Sequence, residues 1–174
     1  MNYGTIKNCD IANGEGVRVS LFVSGCTHHC HNCFNPETWS FSYGSPFDEQ
    51  AQSKLLTLLS PDYIDGLSLL GGEPFEPDNQ RALVPFLKKV RAQYPGKTIW
   101  CYTGYDFDKD LLAWMEAGDP VITKLLPLLD VIVDGEYKEE CRNLRLPFRG
   151  SENQRLIDLR KTEEAGEIVW WDGK

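Results

Sequence analysis

The sequence is short of several things, and each shortage excludes a class of protein. Basic residues are in the minority, 18 Lys and Arg against 26 Asp and Glu, for a formal net charge of −8. Such a chain repels a phosphate backbone, so nucleic acid is not an expected partner. No apolar run approaches the roughly 20 residues that cross a bilayer, and Met1-Asn2-Tyr3-Gly4 has neither the basic nor the apolar stretch of an export signal. No membrane is expected, and the cytoplasm is the expected location. Internal repeats, low-complexity tracts and long linkers are missing as well. What remains is ordinary globular material. With 41% hydrophobic and 25% charged residues, 174 residues form one core and one domain spanning 1–174.

Six cysteines in a chain expected inside the cell point to metal binding or catalysis before disulfides. Cys9, Cys101 and Cys141 are scattered and read as ordinary small residues. The other three sit in Cys26-Thr27-His28-His29-Cys30-His31-Asn32-Cys33, a C-x-x-x-C-x-x-C spacing that also holds all three histidines of the chain. A short loop with several thiolates wraps a metal without help from distant segments. A structural zinc site wants four closed ligands, usually as two separated pairs, and there is no second C-x-x-C pair here. A histidine of the loop is an available fourth ligand, although so compact a closed site is unusual. Three thiolates can instead hold a 4Fe-4S cluster and leave one iron without a protein ligand. His28, His29 and His31 themselves read as exposed polar loop residues without a catalytic role.

Residues 17–23 alternate and are rich in β-branched and aromatic side chains, which predicts a strand delivering the chain into the cysteine loop. Ser45-Pro46 followed by Asp48 predicts a helix N-terminus, with the helix running through Leu55, Leu56, Leu58 and Leu59 to Pro61. A second strand over 66–70 runs into Gly71-Gly72-Glu73-Pro74, so both motifs follow strand ends. Leu83, Phe86, Leu87, Val90 and Tyr94 keep helical spacing, with Pro85 predicting a kink or a late start. Strands at 97–104 and 130–135, separated by helical segments through 111–115 and 121–129, complete a β-α-β pattern with a parallel sheet. The segments 154–162 and 167–171, flanking Glu163-Glu164-Ala165-Gly166, predict a C-terminal β hairpin. A closed eightfold barrel takes about 250 residues and rarely under about 200. The expected class is therefore α/β, a partial (open) β/α barrel with a C-terminal hairpin. An uncovered side would admit a peptide loop.

The C-x-x-x-C-x-x-C loop resembles the signature of the radical S-adenosylmethionine (SAM) enzymes, and Gly71-Gly72-Glu73-Pro74 resembles their G-G-E-P segment. Each alone is suggestive and the two together are specific. The resemblance implies a barrel of the radical SAM type. It implies that Cys26, Cys30 and Cys33 hold the cluster while the amino and carboxylate groups of SAM chelate the open iron. Reductive cleavage then yields methionine and a 5'-deoxyadenosyl radical that abstracts hydrogen from carbon. The hard chemistry belongs to the cofactors, so no side chain is assigned a catalytic role. The cofactor-binding candidates are Asn32, Cys33, Phe34, Gly71, Gly72, Glu73 and Pro74. Glycines let the backbone approach a ligand, and Glu73 is a candidate to receive the amino group. Asn32 stands where the family often has an aromatic against adenine, which leaves Phe34 or His31 as candidates for that contact. Thr103 and Asp134, at strand ends on the same face, are weaker candidates.

Arg149-Gly150-Ser151-Glu152-Asn153-Gln154-Arg155 reads by itself as a polar turn. Beside Gly14-Glu15-Gly16-Val17-Arg18, the Cys-Phe-Asn-Pro-Glu continuation of the cysteine loop and Val133-Asp134-Gly135, it resembles the branch of the family that activates anaerobic (class III) ribonucleoside-triphosphate reductase. That resemblance covers most of the chain. It implies a protein substrate, whose glycine Cα gives up a hydrogen to become a stored glycyl radical, and an electron donor such as a flavodoxin. The competing readings are an activase of another glycyl radical enzyme of the formate-lyase type, a non-enzymatic zinc or iron–sulfur module, and a small-molecule radical enzyme. The last needs a more enclosed pocket than this length readily provides.

Overall fold

A computed structural model describes residues 1–173. The chain runs β1 (Asn2–Asp10), β2 (Arg18–Val23), β3 (Ser45–Pro46), α1 (Glu49–Leu59), β4 (Gly66–Gly71), α2 (Pro77–Gln93), β5 (Thr98–Tyr102) and a π turn (Phe107–Leu111) leading into α3 (Leu112–Glu116). It continues through α4 (Ile122–Leu125), β6 (Val131–Asp134), β7 (Arg155–Asp158) and α5 (Leu159–Ala165). The strands form one seven-stranded sheet in the order β3-β1-β2-β4-β5-β6-β7. β2, β4, β5 and β6 are parallel, while β1 runs antiparallel to β2 and β7 antiparallel to β6. The fold is thus mixed α/β. No helix among the described residues is long and apolar enough to cross a membrane.

The parallel strands are the near-continuous apolar runs, as strands covered on both faces require. Side chains alternate between the faces. Leu21, Leu67, Leu69, Ile99, Cys101 and Ile132 point into the main core, packed against Leu55 and Leu59 of α1 and Leu83, Phe86, Leu87 and Val90 of α2. On the other face Trp100, Val131, Val133 and Leu156 form a second cluster with Tyr102, Phe148 and Trp171. Pro85 lies inside α2, at an exposed position, and does not end the helix. The amino end of the second face is closed by Arg18, which is fully buried. Its guanidinium donates to Ser68 Oγ at 2.7 Å, Leu67 O at 2.7 Å and Thr98 O at 3.0 Å, satisfying a charge that burial would otherwise penalise. The carboxyl end of that face stays open.

Two expectations need correction, and one strand was not anticipated. Ser45-Pro46 is not a helix start but the strand β3, paired with Asn2 and Tyr3; α1 begins later, capped by Asp48, which accepts from Ala51 N at 2.9 Å. β1 itself escaped notice because it lies near the sheet edge, with a largely exposed face and two register shifts that blur its alternation. The C-terminal hairpin is replaced by a strand and a helix. β7 pairs with β6, Asp158 caps α5 by accepting from Lys161 N at 3.0 Å, and Gly166 ends it in the left-handed region at φ 71°. The returning chain meets β7 through the bridge Ile157↔Trp170 and the packing of Trp171 on the cluster that holds Leu156.

Candidate metal and cofactor site

β2 hands the chain to the cysteine loop through Ser24 and Gly25, the latter at φ 98°. Gly25 N donates to Thr38 O at 2.7 Å and Cys26 N to Trp39 O at 3.2 Å, so the loop's root is sewn to the segment that follows it. Within the loop His29 and Asn32 adopt positive φ values of 51° and 58°. These left-handed residues let eight residues double back twice and turn three cysteines towards one side. Cys26 is buried and Cys30 and Cys33 are half-buried, all as free thiols. Burial pushes the Cys26 thiol to about 11 and the Cys30 thiol to about 12. Metal must therefore displace protons from both. Asn35 N donates to Cys33 Sγ at 3.4 Å, the kind of amide–sulfur contact that tunes a cluster's potential.

β4 ends at Gly71, in the left-handed region at φ 109°, where an added Cβ would meet Phe22 Cα at 2.7 Å. On Gly72 a Cβ would sit 2.5 Å from Gly25 O. Backbone meets backbone here, with Gly72 N donating to Val23 O at 2.7 Å and Glu73 N to Gly25 O at 2.8 Å. The two motifs are thus one structural unit. The N-terminal end of α2 adds to it. Glu76 accepts from Thr27 N at 2.8 Å and Thr27 Oγ1 at 2.6 Å, and Asn79 Nδ2 donates to Ser24 O at 3.0 Å and Glu73 O at 2.8 Å.

Glu73 is buried and its carboxylate is heavily engaged. Oε1 accepts from Phe75 N at 2.8 Å and Thr103 Oγ1 at 2.9 Å, and Oε2 from Gly104 N at 2.8 Å. His28 Nε2 lies 3.2 Å from Oε2, an ion-pair contact without the alignment of a hydrogen bond. The carboxylate raises the pKa of His28 above its ordinary value.

These pieces line one cavity of about 730 Å³ at the open, carboxyl end of the parallel strands. Cys26, Cys30, Cys33, Phe34, Gly71, Gly72 and Glu73 are on its wall, with Phe22, Leu70 and Tyr102 contributed by the second face of the sheet. The volume lies in the range of small-molecule and cofactor sites, roughly 300–1,000 Å³. Among the described residues no three of His, Cys, Asp or Glu are gathered for a single ion. The three thiols of the loop all line the cavity, and three soft ligands suit an iron–sulfur cluster. The donor set and the space both fit a 4Fe-4S cluster with a small molecule beside it.

Not every residue singled out in the sequence reaches the wall. Phe34 does, 66% exposed and tilted against Tyr137 at 5.8 Å. Asn32 is exposed and Pro74 is buried behind Glu73, and neither lines the cavity. Thr103 holds Glu73, whereas Asp134 is structural, accepting from Phe107 N at 2.8 Å and pairing with Arg155. His28 is not the exposed loop residue that its polarity suggested: it is half-buried, edge-on to Tyr105 at 4.4 Å. His29, by contrast, is exposed and stacks on Trp39. Of the segment 149–155, Arg149, Gly150 and Gln154 line the wall. Gln154 Oε1 accepts from Gly150 N at 3.0 Å and Ser151 N at 3.2 Å while its Nε2 donates to Gly135 O at 3.0 Å, presenting Arg149 and Gly150 to the cavity. Tyr102, Tyr137 and Phe148 were missed; the arginine-flanked polar segment was the available signal.

Comparison with known proteins gives the family to which the chain is similar. A family model of a 4Fe-4S single cluster domain matches residues 12–157. The chain is 43% identical over 156 residues to the anaerobic ribonucleoside-triphosphate reductase-activating protein of Pasteurella multocida (strain Pm70), covering 88% of this chain and 95% of the relative. It is 40% identical to the protein of that name from Enterobacteria phage T4, over 90% of this chain and 93% of the relative. The counterpart from Escherichia coli (strain K12) is 38% identical, over 92% of this chain and 100% of the relative. No solved structure matches the chain.

Proposed function

The chain belongs to the family of anaerobic ribonucleoside-triphosphate reductase-activating proteins, and on that premise we propose that it is an enzyme that activates an anaerobic (class III) ribonucleoside-triphosphate reductase by generating a glycyl radical in it. When bound, the 4Fe-4S cluster and SAM supply the one-electron chemistry that removes hydrogen from a glycine Cα. The observation that carries the reading is the convergence of Cys26, Cys30, Cys33, Gly71 and Gly72 on one cavity.

In this reading Cys26, Cys30 and Cys33 would hold the cluster through their thiolates. The Gly71–Gly72 turn, on the cavity wall, would receive the methionine end of SAM. Glu73 is committed to Phe75, Thr103 and Gly104, so its part is to hold the turn. Phe34, at the cavity rim beside Cys33, is the candidate for the adenine contact, with Asn32 and Pro74 shaping the loop and the turn around it. The buried face of Phe22, Leu70 and Tyr102 keeps water from the reacting end. The sheet is read as an open β/α barrel of the radical SAM type within a single domain, working in the cytoplasm with a flavodoxin-like electron donor.

Anaerobic reconstitution with iron and sulfide, followed by electron paramagnetic resonance of the reduced protein with and without SAM, tests the reading. A reduced 4Fe-4S signal that changes on adding SAM, together with methionine release and a glycyl radical signal in added reductase, is the expected result. A cluster indifferent to SAM returns the protein to the class of plain iron–sulfur modules.

A further inference from the structure

His28 stands at a junction that the family reading leaves without a role. It follows Thr27, which Glu76 ties to α2 at 2.8 Å, and it precedes Cys30 in the middle of the loop. Three features fix its ring. Nε2 lies 3.2 Å from Glu73 Oε2, the same oxygen that accepts from Gly104 N at 2.8 Å. The ring packs edge-on to Tyr105 at 4.4 Å between centroids. A Cβ on Gly104 would lie 2.7 Å from His28 Cδ2, so the imidazole occupies space that only glycine leaves free. His28 also lines both the main cavity and a second, polar cavity of about 400 Å³ beside Asp106, Lys109 and Glu136, and so forms part of the wall between them.

We infer that His28 is a positioning residue: through Glu73 it ties the middle of the cysteine loop to the Gly71–Gly72 turn and the end of β5, fixing the spacing between the cluster's ligands and the backbone that receives SAM. The inference rests on the proposed function and deepens it. Glu73 is the hub of this arrangement, since its two oxygens join the loop, the turn and β5. A misplacement of about 1 Å in the parts that position a bound molecule can cost about a hundredfold.

The experiment uses the full chain, reconstituted anaerobically, as wild type, His28→Ala, His28→Gln, Glu73→Gln and the His28→Ala/Glu73→Gln double variant. Iron and sulfide content, the dissociation constant for SAM and the SAM-induced change in the resonance of the reduced cluster are measured. His28→Ala should keep the iron content of the wild type, weaken SAM binding about tenfold or more and diminish the spectral change. His28→Gln, whose amide nitrogen reaches the Nε2 position, should restore most of both. In the Glu73→Gln background the alanine replacement should have much less effect than alone, because the two residues act as one unit. Wild-type binding and spectrum in His28→Ala, or fully additive effects in the double variant, would overturn the positioning role while leaving the function intact. Loss of iron in both His28 variants would also overturn it, making His28 a ligand or a fold residue. A wild-type cluster indifferent to SAM would remove the function and this role together.

Discussion

The guanidinium of Arg18 lies over the indole of Trp100, 5.4 Å from the ring centroid, with both side chains buried. The pair seals the amino end of the sheet face whose carboxyl end opens as the cavity. Gly14, at φ 122°, is glycine because a Cβ there would meet Arg18 Cδ at 2.8 Å.

Replacing Arg18 by Ala removes the buried donor to Ser68 Oγ, Leu67 O and Thr98 O, leaving Ser68 only its bond to Asn13 O. A loss of about 3 kcal/mol of stability is expected, read as a lower urea midpoint. Arg18→Lys should recover only part of it, since an ammonium cannot reproduce the planar fork. An unchanged midpoint in Arg18→Ala would show that the network contributes nothing.

Cys30→Ala should abolish cluster assembly and leave the fold intact, because Cys30 is only half-buried and lies outside the hydrophobic core. Iron content and far-ultraviolet circular dichroism separate the two effects. Cys9→Ala, at an exposed position in β1, should bind iron as the wild type does. Full iron content in Cys30→Ala would remove it from the ligand set.

Gly72→Ala places a Cβ 2.5 Å from Gly25 O, a backbone atom that cannot swing aside. The turn and the root of the cysteine loop must separate, so SAM affinity should fall by about tenfold or more, following the sensitivity of sites to shifts near 1 Å. Equilibrium dialysis of the reconstituted variant measures this. Gly96→Ala, where an added Cβ meets nothing, is the control.

Asp108 is bonded to Arg155, which also pairs with Asp134, and the Arg155 guanidinium holds the Asp108 carboxyl below its ordinary value. A carboxylate made more acidic by folding contributes stability above its unfolded pKa of about 4, and that contribution is lost as pH falls through the lower folded value. Urea midpoints compared between neutral and acid pH should therefore drop less steeply in Asp108→Asn than in the wild type. The difference should be small and should shrink with added salt, because the pair is partly exposed. Parallel pH profiles would refute the contribution.

Local signals were legible wherever the chemistry is local. The C-x-x-x-C-x-x-C spacing, the Gly71–Gly72 turn after β4 and the apolar runs of β2, β4, β5 and β6 depend on neighbours in sequence, and all were readable before any fold was known. The edge strands were not. β3 is two residues long and exists only because Asn2 and Tyr3 offer backbone partners more than 40 positions away, and α5 displaced the hairpin because the cap at Asp158 and the stop at Gly166 favour one helical turn after another.

The sequence by itself determined which groups this protein can offer, three soft thiols on one short loop and a glycine pair after a strand, because residue type and spacing suffice for that. The tertiary structure alone decided what each surrounding residue does with them. Glu73 meets Thr103 and Gly104 across about 30 positions, and His28 meets Glu73 across 45, so neither contact leaves a periodic trace in the sequence. The physical reason is that a buried carboxylate must find donors wherever the packed chain supplies them, and only the assembled β4–β5 junction supplies these.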